Sequence, residues 1–154
     1  MAIFEKPGAF ARQIVFYIKN DNYPSAYSLS AEFAQKFQDE MMAHFLLAKS
    51  AYWLGKYSET AIEARKAFNL SKNPDDSLAC AILASTGYYE MKEYTKGHEI
   101  LRLMEKTQKS EELETMLFIF SLALKDATEA AEHMEELYKL NDKTAQDIIA
   151  KFLR

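Results

Sequence analysis

Residues 41–74, MMAHFLLAKSAYWLGKYSETAIEARKAFNLSKNP, hold two apolar segments at helical spacing on either side of a short bend. Leu47, Ala48 and Ala51 share one face of the first segment, Gly55 and Tyr57 make the bend, and Thr60, Ala64, Ala67 and Phe68 face back from the second. The unit is helix, turn, helix. It recurs along the chain: a Tyr followed three residues later by a small residue appears as Tyr23 and Ala26, Tyr57 and Thr60, Tyr94 and Gly97, at intervals of 34 and then 37 residues. A short polar bend precedes each, at Asn20-Asp21-Asn22, Leu54-Gly55-Lys56 and Met91-Lys92-Glu93. The spacing divides a single domain, 1–154, into units near 7–40, 41–74, 78–111 and 112–144, with a last segment over 143–154. The fourth unit lacks a Tyr at its bend (Lys125-Asp126-Ala127), and Ala130 and Ala131 compete for its small position.

The final stretch DKTAQDIIAKFLR starts at a plausible cap, Asp142 or Thr144, and sets Ala145, Ile148, Ile149 and Phe152 on one stripe. It reads as a capping helix over the fourth hairpin, or as the first helix of a fifth unit. Lys151 and Arg154 suit the negative end of a final helix, which favours the cap. Composition agrees with an all-α chain. Four glycines and three prolines in 154 residues are too few for a turn-rich β fold, and 49% hydrophobic residues supply a substantial core. A net charge of -4 gives no positive field for nucleic acid, and no apolar run reaches the roughly 18 residues of a membrane span. Cys80 is the sole cysteine, and the start MAIFEKPGAF lacks a secretory pattern, so a cytoplasmic or nuclear location is expected.

The small residues at Ala48, Thr60 and Ala67, Gly55 at the bend, Tyr57 just after it and Pro74 closing the unit resemble the tetratricopeptide repeat (TPR), a 34-residue helix hairpin. The departures are His44 in place of an aromatic, Ala51 in place of Tyr, and Pro74 two places late. The resemblance implies a right-handed α-solenoid. Small side chains where paired helices cross let the axes approach, so a bulky group at Thr60 or Gly97 would push them apart. Asn22–Glu40, NYPSAYSLSAEFAQKFQDE, followed by Phe45–Ala61, FLLAKSAYWLGKYSETA, is also similar to the N-terminal TPR region of the Cdc27 scaffold subunit of the anaphase-promoting complex. That likeness implies homodimerisation and a place in a multiprotein assembly.

No catalytic constellation is evident. His44, His98 and His133 fall in different units, none with the i, i+4 partners of a helical metal site apart from ordinary Glu neighbours such as Glu129 near His133. The acidic residues Glu111, Glu112, Glu114, Glu129, Glu132, Glu135 and Glu136 read as a solvated face, and Cys80, in LACAILA, as a small buried hydrophobe. The scattered glycines make no phosphate loop and no Ser sits in a G-x-S-x-G setting, so neither enzyme activity nor a metal or other cofactor is expected.

The surface is then the place for function. In a TPR stack the first helices line a concave side, where the second unit presents Met42, Phe45, Lys49, Tyr52 and Trp53. The third presents Ala79, Ile82, Thr86, Tyr89 and Glu90, and the first Gly8, Ala11, Val15, Ile18 and Lys19. Met42, Phe45, Lys49, Tyr52, Trp53, Ile82 and Tyr89 are the candidate partner-binding residues. TPR co-chaperones that grip an acidic C-terminal tail use convergent Lys, Asn and Arg donors, whereas Ala11, Val15, Leu46, Ala79 and Leu83 hold those places here. The expected partner is a protein or peptide: an amphipathic helix, an extended apolar segment or a second copy in a homodimer, with no nucleic acid and no membrane. Two roles compete, an interaction scaffold and a peptide-binding adaptor that regulates an enzyme.

Overall fold

A computed structural model describes residues 5–152. Met1 to Phe4 of the N-terminal stretch, and Leu153 and Arg154 of the last segment, lie outside the described residues. Nine helices follow in order: α1 Pro7–Lys19, α2 Tyr23–Lys36, α3 Met41–Trp53, α4 Tyr57–Leu70, α5 Pro74–Glu90, α6 Tyr94–Glu105, α7 Glu111–Ala123, α8 Ala127–Leu140 and α9 Asp142–Phe152, with no strand among the described residues. Each helix packs on the next in sequence, and α1 also touches α3, α3 touches α5, and α5 touches α7. That neighbour pattern is a stack of hairpins with the odd helices side by side on one face, the arrangement of a right-handed TPR-like solenoid.

The caps follow from local chemistry. Asn22, Asn73, Ser110 and Asp126 each accept a backbone N–H from the first turn of the helix they precede. Pro74 opens α5 instead of closing the second hairpin: at the first helical position its missing N–H costs nothing, and Asn73 caps the turn it starts. The third hairpin therefore begins at Pro74, not near 78. Every bend turns on one left-handed residue two places past an odd helix: Asp21 (φ 57°), Gly55 (φ 75°), Lys92 (φ 59°) and Lys125 (φ 61°).

Burial runs in three linked clusters. Phe10, Ile14, Phe33 and Leu46 form the first, with Phe10 and Phe33 stacked at 5.0 Å. Ala64, Ala81, Leu101, Leu117 and Phe120 centre the second, and Phe118, Met134, Leu137 and Ala145 the third. Small residues set the helix separations. A Cβ on Gly87 would lie 2.9 Å from the Tyr57 carbonyl oxygen across the α4–α5 contact, and one on Gly97 would overlap the Phe120 ring. At the fourth hairpin Ala130 is buried and Ala131 exposed, so Ala130 holds the small position. Through Ala145, Ile148 and Ile149, α9 closes the third cluster. No helix among the described residues is long and apolar enough to cross a membrane.

Candidate functional site

Packing uses most of the circumference of α3: Ala43, Leu46, Leu47, Ala48, Ser50 and Ala51 are all buried. What remains is one stripe, and it faces α5. Phe45, Lys49, Tyr52 and Trp53 on α3, with Leu78, Ala79, Ile82, Leu83 and Thr86 on α5, line a groove of about 510 Å³. Five of the seven candidate residues therefore meet in one place. Met42, 40% exposed, lies on the same helix but outside this lining. Tyr89 lines an adjoining cavity of about 430 Å³ with Tyr52, Met116, Ile119 and, from the far end of α9, Lys151 and Phe152. None of the candidates on α1 lines either cavity.

Trp53 is 56% exposed, yet it stacks on Tyr23 of the preceding hairpin at 5.4 Å and meets Tyr52 edge-on at 5.6 Å. Tyr52 in turn packs against the bend residue Tyr57 at 5.6 Å, and burial together with the Glu90 charge raises its phenol above the ordinary range. The groove rings are thus fixed by the hairpin junctions. Three charges frame the apolar floor: Lys49 from α3, and Asp75 and Glu112 from the first turns of α5 and α7. Sequence reading missed Asp75 because it began the third hairpin near 78, and Leu78 because it opened the groove face of that hairpin at Ala79. Starting from Pro74, the spacing 75, 78, 82, 86 and 89 carries the stripe to both.

The histidines depart from expectation. Each is paired with a glutamate from another helix. His44 Nδ1 lies 2.7 Å from Glu63 Oε2 across α3 and α4, and its Nε2 lies 2.7 Å from the Gln38 carbonyl oxygen. His133 Nδ1 lies 2.8 Å from Glu114 Oε2 across α7 and α8, with Glu105 Oε2 at 3.7 Å. His98 Nε2 lies 3.0 Å from Glu129, which also pairs with Arg102. Glu114 is 2% exposed, so it does not belong to a solvated face: its carboxylate is buried because His133 meets it there. Burial disfavours a charged His133, but the hydrogen bond and charge of Glu114, with Glu105 and Glu129 close by, outweigh it and hold the imidazole above its ordinary pKa. Burial would likewise raise Glu129, and His98, His133 and Arg102 together bring it below the usual range. His133, Glu105 and Glu114 border an open cavity of about 730 Å³ on the side of α6 and α8, where Arg102, Lys106 and Lys109 also stand.

No protein-family model matches the chain, and no curated protein matches it in sequence. Its fold is similar to solved structures. MamA residues 41 to the end from Desulfovibrio magneticus RS-1 align at a TM-score of 0.77 with 13% identity, covering 99% of this chain and 96% of that one. A MamA RS-1 double mutant gives 0.78 at 13% identity, over 99% and 95% of the two chains. Pseudomonas aeruginosa PilF gives 0.68 at 16% identity, over 95% of this chain and 67% of its own. These likenesses establish the TPR-like fold.

Proposed function

We propose that the chain is a non-catalytic interaction scaffold that holds a partner helix, or a second copy of itself, in the groove between α3 and α5. The observation that supports this reading most is the convergence of Phe45, Lys49, Tyr52, Trp53 and Ile82 on one 510 Å³ groove whose rings are already ordered by Tyr23 and Tyr57. Preordered aromatic rings lose little entropy when a partner covers them, which is the property of interface anchors. The apolar floor suits the apolar face of a helix, and it offers no convergent cations for a C-terminal carboxylate. A role inside a larger assembly such as the anaphase-promoting complex rests on the Cdc27-like stretch within Asn22–Ala61 alone.

Sedimentation velocity of the purified chain separates the occupants. A dimer at micromolar concentration that becomes monomeric in a Tyr52→Ala, Trp53→Ala variant supports self-association. A monomer calls for selection of displayed peptides against the chain, followed by counter-screening on the same variant. Selected peptides that bind both proteins equally reject the groove. The alternative role, an adaptor that regulates an enzyme, uses the same groove and differs in what the partner then does.

A further inference from the structure

We propose that Glu105, Glu114 and His133 form a binding site for a divalent first-row transition metal of the zinc class, at the junction of α6, α7 and α8. The three residues come from three helices, and one donor atom from each lies within 4.8 Å of the others. His133 Nδ1 stands 2.8 Å from Glu114 Oε2 and 3.7 Å from Glu105 Oε2. Tetrahedral ligands bound at about 2.0–2.1 Å lie roughly 3.3 Å from one another, so the two separations straddle the spacing a metal needs. Small side-chain adjustments at Glu114 and Glu105 bring both to it.

The second hairpin shows what the same pair looks like when it is complete without a metal. There His44 and Glu63 hold the places that Glu114 and His133 hold in the fourth. Glu63 is neutralised further by Lys66 at 3.0 Å, and the second nitrogen of His44 is taken by the Gln38 carbonyl. In the fourth hairpin the counterpart of Lys66 is Glu136, an acid held by Lys109 at 2.6 Å and Lys139 at 3.2 Å, so no cation stands at that place beside the pair. A third carboxylate, Glu105, is added beside the imidazole, and Arg102 is shared between Glu105 and Glu129. His133 Nε2 is buried and faces only a Glu129 oxygen, 3.5 Å away. A ring that ligates through Nδ1 carries its proton on Nε2, and a carboxylate facing that nitrogen is the usual orienting partner of a metal-bound histidine.

One nitrogen and two carboxylates make too few oxygen donors for calcium and suit a borderline cation such as zinc or cobalt. The Glu105 side chain is 30% exposed and borders the 730 Å³ cavity, which gives the ion a way in and leaves a fourth position for water. The site is independent of the α3–α5 groove.

The test is titration of the chelator-stripped full chain with Co²⁺, read by its visible absorption, and with Zn²⁺ by calorimetry. One equivalent bound in the micromolar range or tighter is expected. Glu105→Gln, a change at a partly exposed side chain that leaves the buried pair intact, should weaken binding at least tenfold, and His133→Gln should abolish it. His44→Gln, at the equivalent pair, should leave it unchanged. No stoichiometric binding, or binding that Glu105→Gln does not weaken, overturns the proposal and leaves the cluster a purely structural ion pair.

Discussion

His133 lies 2.8 Å from Glu114, and the two occupy in the fourth hairpin the places that Glu63 and His44, 2.7 Å apart, occupy in the second, with acid and base exchanged. In both hairpins one partner is the fourth residue of the odd helix and the other the seventh of the even helix. The geometry of the hairpin, not the identity of either residue, fixes where the pair forms. Breaking a buried pair by removing one partner costs about 3–5 kcal/mol because a charge is left uncompensated. His44→Glu alone and Glu63→His alone should each be destabilising on that scale by urea unfolding. The double exchange should recover at least half the loss, and a double variant as unstable as the sum of the singles contradicts the equivalence.

The bends make a second prediction. Lys92 and Lys125 stand at φ 59° and 61°, where Gly55 stands at 75° in the second hairpin. A side chain in the left-handed region costs about 1–2 kcal/mol, offset in part by the entropy that glycine loses on folding. Lys92→Gly and Lys125→Gly should each stabilise by about 0.5–1 kcal/mol, and Gly55→Ala should destabilise. Thermal melts rank the variants, and a lower melting temperature for Lys92→Gly would count against the backbone argument.

Helix separation gives a third. A methyl on Gly97 enters the space of the fully buried Phe120 ring. Gly97→Ala should cost about 1–3 kcal/mol as overpacking, despite the better helix propensity of alanine. Adding Phe120→Leu should cost less in the Gly97→Ala background than in the parent. Equal costs in both backgrounds, measured in a double-mutant cycle, would show that the two positions are not in contact.

Two weak acids, Cys80 and Tyr27, carry the largest upward shifts and so weigh on alkaline stability. Burial, with Asp76 adding its charge, pushes the Cys80 thiol from 9.0 up to about 12, and the hydrogen bond to Glu59, then burial, pushes the Tyr27 phenol from 10.0 up to about 12. Both stay protonated in the folded chain while the unfolded chain releases its protons earlier. Their contribution is therefore whole below pH 9 and is lost as pH rises toward about 12. Urea midpoints should fall across that window, and Cys80→Ala should flatten its lower part. A thiol reagent at pH 8 should label Cys80 only as fast as the chain unfolds, and rapid labelling of the native protein would contradict its burial.

The hairpins were legible because Tyr23, Tyr57 and Tyr94 and the small residue three places on each recur at near-equal spacing, and the same spacing put Phe45, Tyr52 and Ile82 on one side. Pro74 was misread since a proline can follow one helix or open the next, and only the Asn73 cap decides. The His–Glu pairs lay out of reach for a different reason. A search at i, i+4 sees one helix, whereas residues 19 apart meet only when the two helices of a hairpin take a particular register.

On the function proposed here, the groove between α3 and α5 holds another polypeptide. Methyl and indole NMR of the chain, saturated with a selected peptide or compared between monomer and dimer, tests it most directly. Shifts are expected at the Leu78, Ile82 and Leu83 methyls and the Trp53 indole N–H, with Ile14 and Leu137 in the core unmoved. Shifts confined to the outer faces of α4, α6 or α8, with Ile82 and Trp53 unchanged, would contradict it.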